Sequence, residues 1–327
     1  MKQTTIAMLA FGLCLVQAAA EPLFEATPPP RAGSAVPSTP LHRIHPQTAQ
    51  DLQAVLGFKG QHLPFVSAHR GGPAKGFSEN CIPTFEHTLQ HTFAMLEIDP
   101  RRTKDGAIVL LHDATLERTT TGTGRVTDFT LAELKQLRLK DTEGQATPFQ
   151  IPTLDEAIEW ARGKTVLVLD QKDVTSIERA QIVTRHKAEA YVMLIVSSFK
   201  DAAAVHQLNP DIMMEVMIPT IAKAGEFDHL GIPWRNVIAF VGHTPPLDVA
   251  LYDFIHRKGT SCMAGTSRHL DLKVINGEVA DIQEIEEGYR SFLSLGADIF
   301  ETDIPVLLGP MLHNPATALK QPFFELK

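Results

Sequence analysis

The stretch VLVLDQK, residues 166–172, decides the fold of this 327-residue chain. Its first four residues are apolar at every position, and VMLIV at residues 192–196 repeats the pattern farther along. A strand covered by helices on both faces has this composition, whereas a strand with one wet face alternates apolar and polar residues. The stretch therefore predicts a buried strand of a parallel sheet, with polar residues where the strand ends.

Apolar runs of this kind alternate with helical patterns from Phe65 onward. Candidate strands cover residues 64–68, 94–99, 165–170, 191–197, 212–217, 236–241, 260–264 and 298–302. Candidate helices between them cover residues 80–91, 153–162, 175–188, 199–207, 246–258 and 282–295. Eight strands alternating with helices over roughly 250 residues predict an α/β fold, a (β/α)8 TIM barrel. A doubly wound open sheet is the alternative arrangement of the same elements.

One segment, at about residues 105–152, interrupts this alternation after the second strand. It contains an apolar run at residues 107–111, a Thr- and Gly-rich turn at residues 119–124 and a short helical pattern near residues 131–137. Because it separates the second strand from the helix that should follow, we predict a small insertion over one end of the barrel.

Three carboxylates lie where the predicted strands end. Glu97 and Asp99 are two residues apart on the second strand, so their side chains point to the same face. Asp170 follows the apolar run of the third strand. Barrel active sites lie at the carboxyl ends of the strands, so we expect the three side chains to converge there. Such oxygen ligands predict a divalent cation, Mg²⁺ or Ca²⁺, rather than zinc, which prefers His and Cys.

Two histidines and two cations complete the set at the strand ends. His69 and Arg70 follow the first strand, His112 follows a later apolar run, and Lys172 lies two residues beyond Asp170. Imidazole titrates near neutral pH, which suits His69 and His112 to proton transfer to and from alcohol oxygens. Arg70 and Lys172 would bind the remaining phosphate charge. The combination predicts metal-assisted cleavage of a phosphodiester.

The order and spacing of these residues resemble the glycerophosphodiester phosphodiesterase family. The resemblance is dense over residues 65–175 and thins beyond them. It rests on HRG at 69–71, EN at 79–80, ExD at 97–99, TKDG at 103–106, HD at 112–113, RTT at 118–120, IPTL at 151–154, DxK at 170–172, GAD at 296–298 and TDIP at 302–305.

This resemblance implies a (β/α)8 barrel with a small inserted subdomain, which matches residues 105–152. It implies hydrolysis of glycerophosphodiesters to an alcohol and glycerol 3-phosphate by a two-histidine acid–base mechanism. The site residues carried over are the catalytic histidines, the phosphate-binding cations and the metal ligands, namely His69 and His112, Arg70 and Lys172, and Glu97, Asp99 and Asp170.

The chain departs from the family pattern at two positions. The third metal position usually carries Glu, whereas Asp170 is one methylene shorter, which bears on metal affinity and choice. The family's Asn-Thr after its glutamate is Asn80-Cys81 here, which places a thiol near the first helix.

The amino terminus predicts an exported protein. Lys2 is followed by an apolar stretch at residues 6–16 and by three alanines at residues 18–20, the pattern of a cleaved secretory signal. Leu13 is too large for the lipobox that would precede a lipidated Cys14. We therefore predict a signal peptide at residues 1–20, a Pro-rich spacer at 21–50 and a barrel domain at 51–327, in a periplasmic or secreted protein without stable membrane insertion.

Charge and composition limit the alternatives. The formal net charge of −8 gives no indication of nucleic-acid binding, so the expected partner is a small-molecule glycerophosphodiester. A related barrel phosphodiesterase acting on intact phospholipids and a catalytically inactive binding barrel are the rival functions. Cys81 and Cys262 are predicted to be separate thiols. The released alcohol, the choice between Ca²⁺ and Mg²⁺, the roles of the two histidines and the oligomeric state stay open.

Overall fold

A computed structural model describes residues 39–60, 63–244, 248–312 and 315–327. In chain order the strands are β1 (His42–Ile44), β2 (Phe65–Ala68), β3 (Ala94–Ile98), β4 (Pro100–Arg102), β5 (Ile108–Leu110), β6 (Leu167–Leu169), β7 (Val192–Val196), β8 (Met214–Met217), β9 (Val237–Gly242), β10 (Cys262–Gly265), β11 (Ile299–Thr302) and β12 (Phe324–Leu326). The α-helices are α1 (Ala49–Leu56), α2 (Ile82–His91), α3 (Leu131–Leu134), α4 (Leu154–Ala161), α5 (Ser176–His186), α6 (Phe199–Leu208), α7 (Ile221–Asp228), α8 (Val249–Arg257), α9 (Leu270–Ile275), α10 (Glu286–Leu295), α11 (Pro305–Leu312) and α12 (Pro315–Ala318).

Eight parallel strands form a closed barrel in the order β2-β3-β6-β7-β8-β9-β10-β11, and β11 pairs with β2 to close it. The predicted TIM barrel is therefore confirmed, and the open sheet is excluded. Each barrel strand overlaps one of the eight predicted ranges. Helices α1, α7, α9, α11 and α12 were not predicted from the sequence.

Alternation along the strands separates two layers of the core. Met95 and Val168 belong to the cluster inside the barrel, whereas Leu96 and Leu167 pack between the sheet and the helices. Because side chains alternate along a strand, the residue after Leu96 points inward again. That residue is Glu97, so the barrel interior turns from apolar to acidic at the carboxyl ends of its strands.

The segment between β3 and α4 forms the insertion. Strands β4 and β5 pair as an antiparallel hairpin, and Val109, Leu116 and Leu139 belong to a separate small core beneath it. This core also contains Cys81, which lies at the start of α2 and ties the insertion to the barrel. The insertion thereby holds His112, which follows β5, over the barrel mouth.

The structure differs from the prediction that residues 21–50 form a spacer. Residues 1–38, which include the predicted signal and most of the spacer, lie outside the described residues. Strand β1 pairs with β12, and buried Ile44 packs against the barrel interior. Thr48 caps α1 and forms a capping box with Asp51. This spacing of Thr and Asp is a helix-start signal in the sequence, but the proline-rich composition around it favoured a spacer. The packed domain therefore begins before residue 51.

The state of the two cysteines and the length of the helices bear on two further predictions. Cys81 and Cys262 are buried, unbridged thiols, as predicted. Among the helices of the described segments, none is both long and apolar enough to cross a bilayer.

Candidate active site

A cavity of about 580 Å³ opens at the carboxyl ends of the barrel strands. The structure brings the predicted catalytic, phosphate-binding and metal-ligating residues to this end of the barrel. Six of the seven line the cavity: His69, Arg70, Glu97, His112, Asp170 and Lys172. The seventh, Asp99, is buried beside them with 1% of its surface exposed.

The three predicted metal ligands converge. Glu97, Asp99 and Asp170 each offer a carboxylate oxygen, and these oxygens all lie within 4.8 Å of one another. Burial raises the pKa of Glu97 well above its ordinary value, and the charges of Asp99 and Asp170 raise it further. Acidic oxygens crowded in this way fit a hard divalent cation, which would keep all three ionised.

Lys172 contacts the carboxylates rather than standing apart from them. Its Nζ lies 2.9 Å from Asp99 Oδ1 and also contacts Asp170 Oδ2. Burial alone would lower the pKa of Lys172, but the charge of Asp99 and the bond to Asp170 outweigh burial and raise it. The lysine is therefore held cationic at the cavity wall, and its contact with phosphate stays a prediction.

Asn80 positions Asp99, a role that was not predicted from the sequence. Its Nδ2–H donates to Asp99 Oδ2 at 2.6 Å, and its Oδ1 accepts from the Asp99 backbone N–H at 2.9 Å. Asn80 is fully buried with a φ of 57°, a left-handed conformation that Asn tolerates better than most residues. The Glu79-Asn80 motif was visible in the sequence, but the contact joins distant segments and has no local signal.

His69 lies in a single 3₁₀ turn directly after β2. Its Nδ1 is 2.7 Å from Asp303 Oδ1, so Nε2 is the nitrogen that can exchange a proton with a ligand in the cavity. Burial lowers the pKa of His69, but the bond to Asp303 and the charge of Glu301 outweigh it, so the net shift is upward. In the same turn, the backbone N–H of Arg70 donates to Glu97 Oε2 at 2.8 Å. The turn after β2 thus positions both the catalytic histidine His69 and the metal ligand Glu97.

His112 is held by a chain of hydrogen bonds and ion pairs that runs from the insertion to the turn after β2. Its Nδ1 lies 2.7 Å from Asp113, and Arg118 bonds Asp113 at 2.6 and 2.9 Å. Arg118 also bonds both oxygens of Glu79, which accepts a further bond from Arg70 at 3.1 Å. The bonds from Arg118 hold the pKa of Asp113 well below its usual range. Asp113 therefore stays anionic and fixes the orientation of the histidine ring.

A second pair of buried carboxylates lines the same cavity. Glu215 on β8 and Glu301 on β11 are 4% and 7% exposed. Exposed Arg268 and half-buried His243 lie near them along the cavity. None of these four was predicted, because the carboxylates lie inside apolar strands rather than beyond their ends. A glutamate within an apolar run was the signal available in the sequence.

Comparison with protein families matches residues 69–232, about half of the chain, to the glycerophosphoryl diester phosphodiesterase family. The chain belongs to this family. Among its relatives, a glycerophosphodiester phosphodiesterase of Bacillus subtilis is 30% identical over 166 residues, which cover 44% of this chain and 56% of that relative. The chain thus spans little more than half the length of that relative.

Solved structures of similar proteins share the fold. A glycerophosphoryl diester phosphodiesterase from Parabacteroides distasonis is 38% identical, with a TM-score of 0.81 over 88% of this chain and 100% of that chain. An Oleispira antarctica phosphodiesterase, in complex with the product sn-glycerol-3-phosphate, is 24% identical. Its TM-score is 0.59, and the match covers 76% of this chain and 96% of that chain. The family resemblance found in the sequence is confirmed.

Proposed function

We propose that this protein is a metal-dependent glycerophosphodiester phosphodiesterase, which releases an alcohol and glycerol 3-phosphate. One observation carries the proposal: two histidines, each oriented by its own aspartate, line the cavity that the carboxylate triad borders. Acid–base chemistry on an anionic ester needs these parts together. The named activity of the Bacillus subtilis and Parabacteroides distasonis relatives supports this reaction, as does the product bound to the Oleispira antarctica structure.

The residues divide the chemistry between them. Glu97, Asp99 and Asp170 would hold a Mg²⁺ or Ca²⁺ ion, which supplies polarisation of the phosphoryl oxygens when bound. Arg70 and Lys172, at the wall of the cavity, would neutralise the negative charge of the substrate phosphate. The substrate is thereby bound through its phosphate, the group that every glycerophosphodiester shares.

The two histidines take opposite roles in proton transfer. The carboxylate of Asp303 raises the pKa of His69, so this ring carries its proton at higher pH than an ordinary histidine. His69 is therefore the donor to the leaving alcohol oxygen. His112, held by Asp113 at Nδ1, accepts a proton from the attacking water at its other ring nitrogen, and the water oxygen replaces the alcohol on phosphorus.

A substrate panel tests the proposed reaction. The purified protein is incubated with several glycerophosphodiesters, with Mg²⁺ or Ca²⁺ and with chelator, and the phosphorus-containing products are identified by ³¹P NMR. We expect glycerol 3-phosphate from the diesters, loss of turnover with chelator, and recovery when metal is restored. Turnover that is unaffected by exhaustive chelation would contradict the metal requirement, and a product other than glycerol 3-phosphate would contradict the cleavage position.

We also propose that the protein is exported to the periplasm or secreted. Support comes from Lys2, the apolar residues that follow it and the small residues at 18–20. Amino-terminal sequencing of protein recovered outside the cytoplasm should give a chain that begins near Glu21. Recovery of a lipid-modified Cys14 would refute this processing.

A further inference from the structure

Besides the carboxylate triad, the cavity contains polar groups that the proposed mechanism does not use. Glu215 and Glu301 follow, on their strands, the interior apolar residues Met213 and Ile299. They therefore point into the barrel and form part of its uppermost interior layer. Ser67 pairs in register with Glu301 and lies in the same layer. Glu215 and Glu301 thus line the cavity, and buried Ser67 lies beside Glu301.

Three buried polar atoms in this region have no hydrogen-bond partner among the described residues. Glu215 Oε2 is buried and accepts no hydrogen bond there, and the same holds for Ser67 Oγ and His243 Nδ1. The Nδ1 of His243 lies 4.0 Å from Glu301 Oε1, too far for a hydrogen bond. Buried polar atoms are nearly always hydrogen-bonded, so several unsatisfied ones beside one cavity indicate a ligand that supplies the missing bonds.

Gly265 leaves space for the His243 ring, and the environment of Glu215 disfavours the charged form of its carboxyl group. A Cβ at Gly265 would lie 2.3 Å from His243 Nδ1, so only glycine admits the His243 ring in this position. Around Glu215, burial raises the carboxyl pKa, and the like charges of Glu301 and Asp170 raise it further. A buried acid without a donor costs folding free energy, which is typical of a residue retained for function.

We infer that Glu215 and Glu301, with His243 and Arg268 beside them, bind hydroxyl groups of the substrate's polyol. This inference rests on the proposed function and names the substrate feature that the site recognises. A hydroxyl group both donates and accepts, so neighbouring hydroxyls can bond the carboxylates and the basic side chains together. The glycerol half and a polyhydroxylated head group share this chemistry.

Recognition of a quaternary ammonium head group fits the cavity less well. Such cations bind against several aromatic faces, whereas Phe240 is the only Phe, Tyr or Trp among the described residues that line this cavity. The cavity also contains three cationic side chains, Arg70, Lys172 and Arg268, which oppose a second cation. Binding of polyol hydroxyl groups therefore explains the unpaired Glu215 carboxylate better than binding of a quaternary ammonium group does.

The experiment compares three substrates. Bis(p-nitrophenyl) phosphate has no hydroxyl groups, glycerophosphocholine has them only in its glycerol half, and glycerophosphoinositol has them in both halves. The variants are Glu215→Ala and Glu215→Gln, with Glu226→Ala on the exposed face of α7 as the matched control. The readout is kcat/KM for each substrate relative to its value for bis(p-nitrophenyl) phosphate.

Glu215→Ala should lower this ratio by about 10- to 100-fold, because it leaves a bound hydroxyl group without its acceptor in a buried site. The isosteric Gln keeps an acceptor and adds donors, so Glu215→Gln should retain the ratio within about fivefold. Equal loss for both natural substrates assigns the site to the glycerol half, and loss for glycerophosphoinositol alone assigns it to the head group. Glu226→Ala should leave every ratio unchanged.

Other outcomes overturn the inference without touching the proposed function. If the wild-type protein cleaves all three substrates and Glu215→Ala keeps every ratio, the hydroxyl subsite is refuted. Equal damage by Gln and Ala would show recognition of charge, which also refutes it. Failure of the wild-type protein on all three substrates would instead refute the proposed function.

A stability measurement separates ligand binding from a structural role. Because Glu215 is buried without a donor, Glu215→Gln should raise the thermal midpoint of the metal-free protein. A lower midpoint would show that the carboxylate supports the fold and would overturn its assignment to a ligand. This readout also keeps the test decisive if the alanine variant fails to fold.

Discussion

Replacement of Asn80 tests whether its hydrogen bonds to Asp99 hold the metal site in place. Asn80 lies just before α2, and Asp99 lies just after β3. Asn80 makes one bond to the Asp99 carboxylate and one to its backbone N–H, at 2.6 and 2.9 Å. A hydrogen bond to a charged group contributes about 1.5–3 kcal/mol and a neutral one about 0.5–1.5 kcal/mol. Removing both should lower the free energy of unfolding by about 2–4.5 kcal/mol.

Two variants separate these bonds from backbone strain. Asn80→Ala loses both bonds and also places a Cβ residue at a φ of 57°, which costs about 1–2 kcal/mol more. Asn80→Gly loses the same bonds but tolerates that φ, and its flexibility in the unfolded chain costs about 0.5–1 kcal/mol instead. The loss that the two variants share therefore measures the bonds to Asp99.

The assays are urea unfolding in the presence of chelator and titration of activity with Mg²⁺ or Ca²⁺. Groups that orient a metal ligand typically change metal affinity by about 10- to 100-fold, so the metal midpoint of activity should rise by that factor. A Gly variant within about 0.5 kcal/mol of the wild-type stability, with an unchanged metal midpoint, would refute the positioning role.

Three further predictions concern the ligand and histidine groups. Asp170→Asn should raise the metal midpoint of activity by about tenfold or more, whereas Asp170→Glu should restore most of the affinity; an unchanged midpoint in the Asn variant would rule out direct ligation. His69→Ala and His112→Ala should each lower turnover by about 10²- to 10⁴-fold with the fold intact by circular dichroism, and near-normal turnover in either would exclude its acid–base role. Because Asp303 raises the pKa of His69, their pairing stabilises the folded state below the unfolded histidine pKa of 6.5 and is lost as pH rises through the folded value. The stability deficit of Asp303→Asn should therefore be larger at about pH 5.5 than at about pH 9, and a deficit independent of pH would contradict the pairing.

The barrel could be predicted from the sequence because its strands carry a strong local signal. Val166–Leu169 and Val192–Val196 are apolar on both faces, and the polar residues beyond them mark where the strands end. Two of the missed helices, α9 and α11, lack such a signal. Helix α9 has six residues, and α11 contains Pro310, so neither shows a helical period long enough to recognise.

The site was predicted where chemistry follows a strand end and missed where it depends on distant contacts. His69 and Glu97 stand out beside their strands, but the partners that orient them do not. Asp303 is more than two hundred residues from His69, and only the closure of β11 on β2 brings the two together. Glu215 was missed for another reason, because a carboxylate within an apolar strand looks like a surface position until the barrel shows that it faces inward.

The pairing of β1 with β12 has a consequence for the order of folding. Residues 42–44 lie beside residues 324–326, and Leu41 and Lys327 exchange two backbone hydrogen bonds. Together with α1, this pair covers the amino-terminal end of the barrel, where Phe65 and Phe93 belong to the same apolar cluster. A chain synthesised from its amino terminus cannot form this cover until residues 324–326 have been made, because the loop to be closed spans the whole domain. The apolar floor of the barrel therefore stays exposed until β12 pairs with β1, and the nascent chain depends on this pairing for protection against aggregation.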